Sequence, residues 1–161
     1  MEEKEVKEAE DDTQRVIILP VDNSIHSERA FDWYIKNLRK NEDTLVIVHV
    51  NETPNISTEG TLIDRTEKWQ SAYKEILDES KELVRKFINK AKDIGIEAKS
   101  VLTWSTSGGA GRSICDVAAK KHASNIVMGS RGLNVLRRTL LGSVSSYVVK
   151  HSNVAVTILP P

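Results

Sequence analysis

The chain has 161 residues, enough for one domain with a proper core, and its 23 basic and 23 acidic residues cancel, so no global field selects nucleic acid or an anionic membrane. No apolar run approaches the roughly 20 residues of a membrane span, and the amino terminus lacks the apolar stretch of a signal peptide. A single cysteine, Cys115, excludes an intrachain disulfide and fits a reducing compartment, so a cytoplasmic protein is the expectation.

Residues 1–12 (MEEKEVKEAEDD) carry seven acids against two lysines, a net of −5 that leaves +5 on the remainder. Val6 is the only sizeable apolar side chain there, too little to offset the entropy of ordering, so residues 1–13 read as a disordered acidic tail and 14–161 as the folded domain. Residues 15–21 (RVIILPV) form a β-branched run typical of a strand buried on both faces. Ser24 or Ser27 caps the helix that follows, with Ala30, Phe31, Tyr34, Ile35 and Leu38 as its apolar stripe. A second buried strand spans 44–50, and the polar stretch 51–64, with Pro54 and Gly60, reads as a loop.

The three-and-four spacing of Trp69, Tyr73, Ile76, Leu77, Leu83, Val84, Phe87, Ile88 and Ala91 predicts a long helix over 65–93, ended by Gly95. A less apolar strand over 96–104 suits a sheet edge. Gly108, Gly109 and Gly111 lie in a loop before a helix over 112–122. The fourth strand is 125–128, a helix covers 144–150, and 154–159 is the fifth strand. Strands alternate with helices throughout, which argues for a doubly wound five-stranded parallel α/β sheet with helices on both faces. Ligands of such sheets bind beyond the carboxyl ends of the strands, where strand order reverses. Pro20, Val21 and Asp22, then His49, Val50 and Asn51, then Met128 and Gly129, are therefore the residues to follow.

The last of these opens a motif. Gly129, Ser130, Arg131 and Gly132 follow a strand, and nine residues later Gly142 and Ser143 precede a helix. Glycines between a strand and a helix start expose unpaired backbone N–H groups, a cradle suited to phosphate. No GxxxxGK[ST] occurs, and the first strand leads into Val21-Asp22-Asn23 rather than GxGxxG; Gly109-Ala110-Gly111 supplies only the first half of that fingerprint. A Walker-type NTPase and a dinucleotide oxidoreductase are both set aside.

The pattern Gly129-x2-Gly132-x9-Gly142-Ser143 resembles the nucleotide-binding signature of the universal stress protein family, in its ATP-binding branch. The resemblance extends to Pro20-Val21-Asp22-Asn23-Ser24 after the first strand, His49-Val50 at the end of the second, and Val154-Ala155-Val156-Thr157-Ile158-Leu159 as the last. It covers about residues 15–160. It implies a Rossmann-like fold of the adenine nucleotide alpha hydrolase-like type, and a site for ATP, ADP or AMP with Mg2+ as a companion. By that resemblance Gly132, Gly142, Ser143 and Ser145 hold the phosphates, with Val144 in the same turn and Gly129 near the ribose. Asp22 and the backbone of Val50 address the nucleoside end, with Pro20 and Met128 as apolar walls and Val21, Ser130 and Arg131 beside them. Arg131, Arg137 and Arg138 are candidates to neutralise phosphate charge. The stretch 105–111 (STSGGAG) is more glycine-rich than the compact turn of the family and is expected to widen the mouth of the site.

Each residue also has a plainer reading. Ser143 would merely cap its helix, Asp22 would close a side-chain turn on the following amides, and Arg137 with Arg138 would be a solvated pair. His49 reads as a hydrogen-bonded core histidine, Cys115 as packing, and Trp69 and Trp104 as core or interface rather than stacking platforms. The favoured function is an adenine-nucleotide-binding stress-response switch with little or no hydrolysis and no catalytic residue. A slow ATPase and a nucleotide-independent, chaperone-like dimeric scaffold are the alternatives. Pairing of the charge-free last strand with its twin implies a homodimer, with an unknown protein partner downstream.

Overall fold

The computed structural model describes residues 15–55, 59–130 and 141–161. Five parallel strands, β1 (Val16–Pro20), β2 (Thr44–Asn51), β3 (Ala98–Trp104), β4 (Asn125–Gly129) and β5 (Ala155–Leu159), lie in the order β3-β2-β1-β4-β5. The less apolar third strand is indeed an edge. Four helices, α1 (Ile25–Trp33), α2 (Leu62–Asp93), α3 (Gly109–Lys120) and α4 (Ser143–His151), connect them. The acidic tail expected over residues 1–13 lies outside the described residues.

Because strands buried on both faces need two cores, the apolar residues split by strand alternation. Ile17, Leu19, Leu45 and Ile47 face α1 and α2, meeting Phe31, Tyr34, Leu83, Val84, Phe87 and Ala91. Ile18, Val46, Val48, Ile126 and Met128 face α3, packing with Ile114, Val117 and Ala118, and with Val148 of α4. Each fully buried aliphatic side chain contributes about 1.5–3 kcal/mol, so these two layers supply most of the stabilising free energy. Cys115 packs half-buried at the second layer, as its position in the stripe predicts, and burial pushes its thiol up.

Helix ends deviate from the expected ones for identifiable reasons. Ser24, not Ser27, is the α1 cap, its hydroxyl accepting from the Ser27 amide. After Trp33 the helix widens into a π turn, Tyr34–Leu38, which the periodicity did not signal. The buried Tyr34 there donates its hydroxyl to Asp43 Oδ2 at 2.9 Å, and Arg15 lies 3.4 Å from Asp43 Oδ1. α2 begins three residues earlier than expected because Thr61 and Asp64 form a reciprocal capping box. α3 likewise starts at Gly109 rather than at Arg112.

α2 is 32 residues, about 48 Å at 1.5 Å per residue, and only its carboxyl half is buried, from Ser80 through Ala91. Its amino half projects past the strands. Trp69, expected in core or interface, is 45% exposed and stacks on Tyr73, which in turn stacks on Trp104 with centroids 5.0 and 4.7 Å apart. Two ion pairs, Lys86 with Glu28 and Lys90 with Asp32, tie α2 to α1. The Lys86 hydrogen bond holds the Glu28 carboxyl below its usual range.

Candidate functional site

The strand order reverses between β1 and β4, and there the sheet comes apart. The β1–β4 register runs through Ile17 with Asn125 and Ile18 with Ile126 and goes no further. Beyond that point β1 continues only with β2, as far as Pro20 against Val48, and β4 only with β5, as far as Gly129 against Leu159. Pro20 has no N–H to donate across the gap, so one rung of the ladder is chemically unavailable. The result is a split at the carboxyl ends, a candidate crevice with Pro20 on its β1 side and Met128 on its β4 side. Both residues are buried.

On the β1 side, chain direction is set by a cluster around Asp22. Its Oδ1 accepts from the Ser24 amide at 3.0 Å, the Ser27 hydroxyl at 2.7 Å and the Ser24 hydroxyl, while its own amide donates to Ser27 Oγ at 2.9 Å. The plainer reading of Asp22 as a turn-former is thus present in the structure; Oδ2 takes none of these bonds. The amide of Val21 donates to the Val48 carbonyl, and its carbonyl receives His49 Nδ1 at 2.8 Å. That bond makes Nδ1 the protonated nitrogen of His49 and fixes its ring at the end of β2, the core role expected of it. Val50, half-buried, packs in the same layer as Met128 and Val144.

The β4 side is tied to α4. The Ser130 carbonyl receives the Gly142 amide at 2.7 Å and the Ser145 hydroxyl at 2.7 Å, so the chain leaves β4 and returns at one point. Gly142 is the α4 N-cap and offers no side-chain cap; Ser143 is exposed and does not cap either. Ser146 is the first residue of this helix whose amide finds a carbonyl within it, that of Gly142. Among the described residues, the amides of Ser143, Val144 and Ser145 have no acceptor. Buried Ser145 spends its hydroxyl on positioning Ser130, while Ser130 Oγ is itself buried with no hydrogen-bond partner. Arg131, Gly132, Arg137 and Arg138 lie outside the described residues.

Gly129 has a clear steric reason. A Cβ there would lie 2.8 Å from the Cβ of His26 and 3.1 Å from its carbonyl oxygen, so glycine lets the first turn of α1 close on the strand end. His26 was not singled out by sequence, whereas Asn51 was, as a strand-end residue; both are polar side chains at the carboxyl end of the sheet. Asn51 is 2% exposed, receives the Ser80 hydroxyl on Oδ1, and leaves Nδ2 buried and unpartnered. The glycine-rich stretch after β3, expected to widen the mouth of the site, is partly helical. Three of its residues belong to α3, and Gly111 brings that helix against Tyr147 of α4, where a Cβ would meet the tyrosine Cβ at 2.8 Å. Among the described residues, no helix is long and apolar enough to cross a membrane.

Comparison with known proteins is consistent with this geometry. A universal stress protein of Methanocaldococcus jannaschii is 29% identical over 147 residues, covering 89% of this chain and 80% of that one. The universal stress protein UspA of Lactobacillus plantarum superposes with a TM-score of 0.75 at 21% identity, over 91% of this chain and 97% of that one. A universal stress family protein from Arabidopsis thaliana, solved with AMP bound, gives 0.61 at 19% identity over 90% of each chain. The family model described as "Universal stress protein family" matches residues 14–160, nearly the whole length, and the chain belongs to that family.

Proposed function

We propose that the crevice between β1 and β4 binds an adenine nucleotide and that the protein acts as a nucleotide-dependent switch in a stress response. The observation that carries this is the start of α4. Three amides without an acceptor among the described residues sit at the positive end of a nine-residue helix, beside the buried, unpartnered hydroxyl of Ser130. Such a helix end stabilises an anion through both hydrogen bonding and its dipole. Ser143, Val144 and Ser145 would hold phosphate oxygens through their amides, with Gly142 giving close approach. Asp22 and the backbone of Val50 would take the nucleoside, between Val21, Pro20 and Met128. The AMP bound by the Arabidopsis relative supports an adenine nucleotide as the ligand class. Gly129, Ser130, Arg131 and Gly132 enter through the motif, the last two by spacing alone. ATP in place of AMP or ADP, and Mg2+ with it, belong to the same proposal.

Holding rather than breaking the triphosphate is the expected outcome. Hydrolysis needs a water positioned at the terminal phosphate and charge neutralised around it. The carboxylate of Asp22 is committed through Oδ1 to the turn that leads into α1, and it stands at the nucleoside end of the proposed pose. Calorimetric titration of purified protein with AMP, ADP and ATP tests the reading, together with mass spectrometry of nucleotide released on denaturation. Binding at micromolar to millimolar levels without steady phosphate release is expected. Absence of any binding at millimolar nucleotide would sink it.

The second element of the proposal is a homodimer through β5. This edge strand carries no charged side chain, and Leu141 before α4 and Val149 within it are exposed, at 42% and 46%. A two-fold pairing of β5 with its twin would cover that edge. Analytical ultracentrifugation showing a monomer independent of concentration would count against it.

A further inference from the structure

We propose that His26 is a specificity-determining residue of this crevice: its imidazole takes a sugar hydroxyl of the bound nucleotide and makes the site prefer ribo- over deoxyribonucleotides. The inference rests on the adenine-nucleotide reading and adds a residue and a substrate class to it.

His26 lies in the first turn of α1, four residues after Asp22, and its Cβ and carbonyl oxygen press on Gly129 closely enough to exclude any side chain there. Gly129 leads directly to Ser130, whose carbonyl anchors Gly142 and Ser145 at the start of α4. His26 thus lies between Asp22, at the proposed nucleoside end, and the strand end that leads to the α4 amides, where the sugar of a nucleotide spanning both would pass. The ring is half-buried, and its Nδ1 is buried with no hydrogen-bond partner. His49 and His151, by contrast, each place Nδ1 on a backbone carbonyl. A buried polar atom left without a partner is costly, so a group arriving in the crevice that satisfies it gains that free energy on binding.

The chemistry of the ring selects the group. A neutral imidazole has one N–H donor and one bare nitrogen acceptor, and a half-turn about χ2 exchanges its buried and exposed edges. A hydroxyl both donates and accepts, so it suits either nitrogen in either tautomer. A phosphate oxygen only accepts, and the α4 amides already offer donors for it.

The test is titration of the whole protein with AMP, 2′-deoxy-AMP and 3′-deoxy-AMP, on the native chain, His26→Ala and His26→Gln. One hydrogen bond corresponds to roughly two- to tenfold in affinity. The native protein is expected to bind AMP tighter by that factor than at least one deoxy analogue. His26→Ala should weaken AMP and bring the analogues level, whereas His26→Gln, which keeps a donor and an acceptor, should retain part of the preference. Equal binding of AMP and both deoxy analogues by the native protein overturns the inference without any variant, and so does an undiminished preference in folded His26→Ala. Failure of the native protein to bind any adenine nucleotide overturns the nucleotide reading itself, and this inference with it.

Discussion

The two ends of the sheet are built on opposite rules. At the amino end polar groups are tied to one another. Asp43 takes the Tyr34 hydroxyl and the Lys40 amide on Oδ2, faces Arg15 with Oδ1, and its side chain is 2% exposed; Arg15 also donates to the Leu38 carbonyl. The amides of Thr44 and Ser124 close onto the carbonyls of Arg15 and Val16. At the carboxyl end the sheet splits at Pro20, a helix starts without a side-chain cap, and His26, Asn51 and Ser130 each keep a buried polar atom without a partner. Apart from the facing atoms of Arg15 and Asp43, these are all the unpartnered buried side-chain atoms of the described residues. One end is closed to hold the fold, and the other keeps the unsatisfied groups that the proposed ligand would meet.

The largest effect is expected where the closed end is opened. Asp43→Ala removes the shared acceptor of Arg15 and Tyr34 and should cost about 3 kcal/mol in urea unfolding, with little change in nucleotide affinity. Gly129→Ala acts at the other end, forcing a Cβ into backbone and Cβ of His26; about 2 kcal/mol of destabilisation and a clear loss of nucleotide binding should appear together.

Tyr34 sharpens the comparison through pH. Burial, then the hydrogen bond to Asp43, raises its hydroxyl well above the ordinary tyrosine value of 10.0. In the unfolded chain that proton leaves near pH 10 while the folded state keeps it, so the contribution is complete below pH 10 and is lost as pH rises beyond it. Alkaline unfolding should therefore steepen above pH 10 in the native chain and flatten in Tyr34→Phe. Ser130→Ala should show the smallest stability change and the most telling one. Deleting an unpartnered buried hydroxyl should leave the ligand-free protein within about 1 kcal/mol of the original, on the stabilised side, while nucleotide binding weakens.

Much of this was legible in the chain. The β-branched runs and the three-and-four spacing set the five strands, the four helices and both cores, because burial on two faces leaves a periodic record. The strand-end residues Pro20, Asp22, Val50 and Gly129 were legible because a parallel sheet places its ligands there. What escaped has a common cause: it depends on contacts between elements distant in sequence. Nothing local marks His26 as the residue that presses on Gly129, or Gly111 as the point where α3 meets Tyr147. The π turn begins at Tyr34, whose hydroxyl reaches Asp43 across a loop, and Trp69 has the spacing of a core residue on a helix longer than the sheet beneath it.

That overhang has an optical consequence. Trp69, Tyr73 and Trp104 are nearly parallel, with interplanar angles of 20° and 12°, and they join the free half of α2 to the last residue of β3. Two of the three tryptophans of the chain therefore share one chromophore stack, whose near-ultraviolet circular dichroism and fluorescence register any change in how the helix leans on the sheet edge. Trp33, on α1, supplies an internal reference of the same kind. The protein carries its own dye, placed one strand away from Val50.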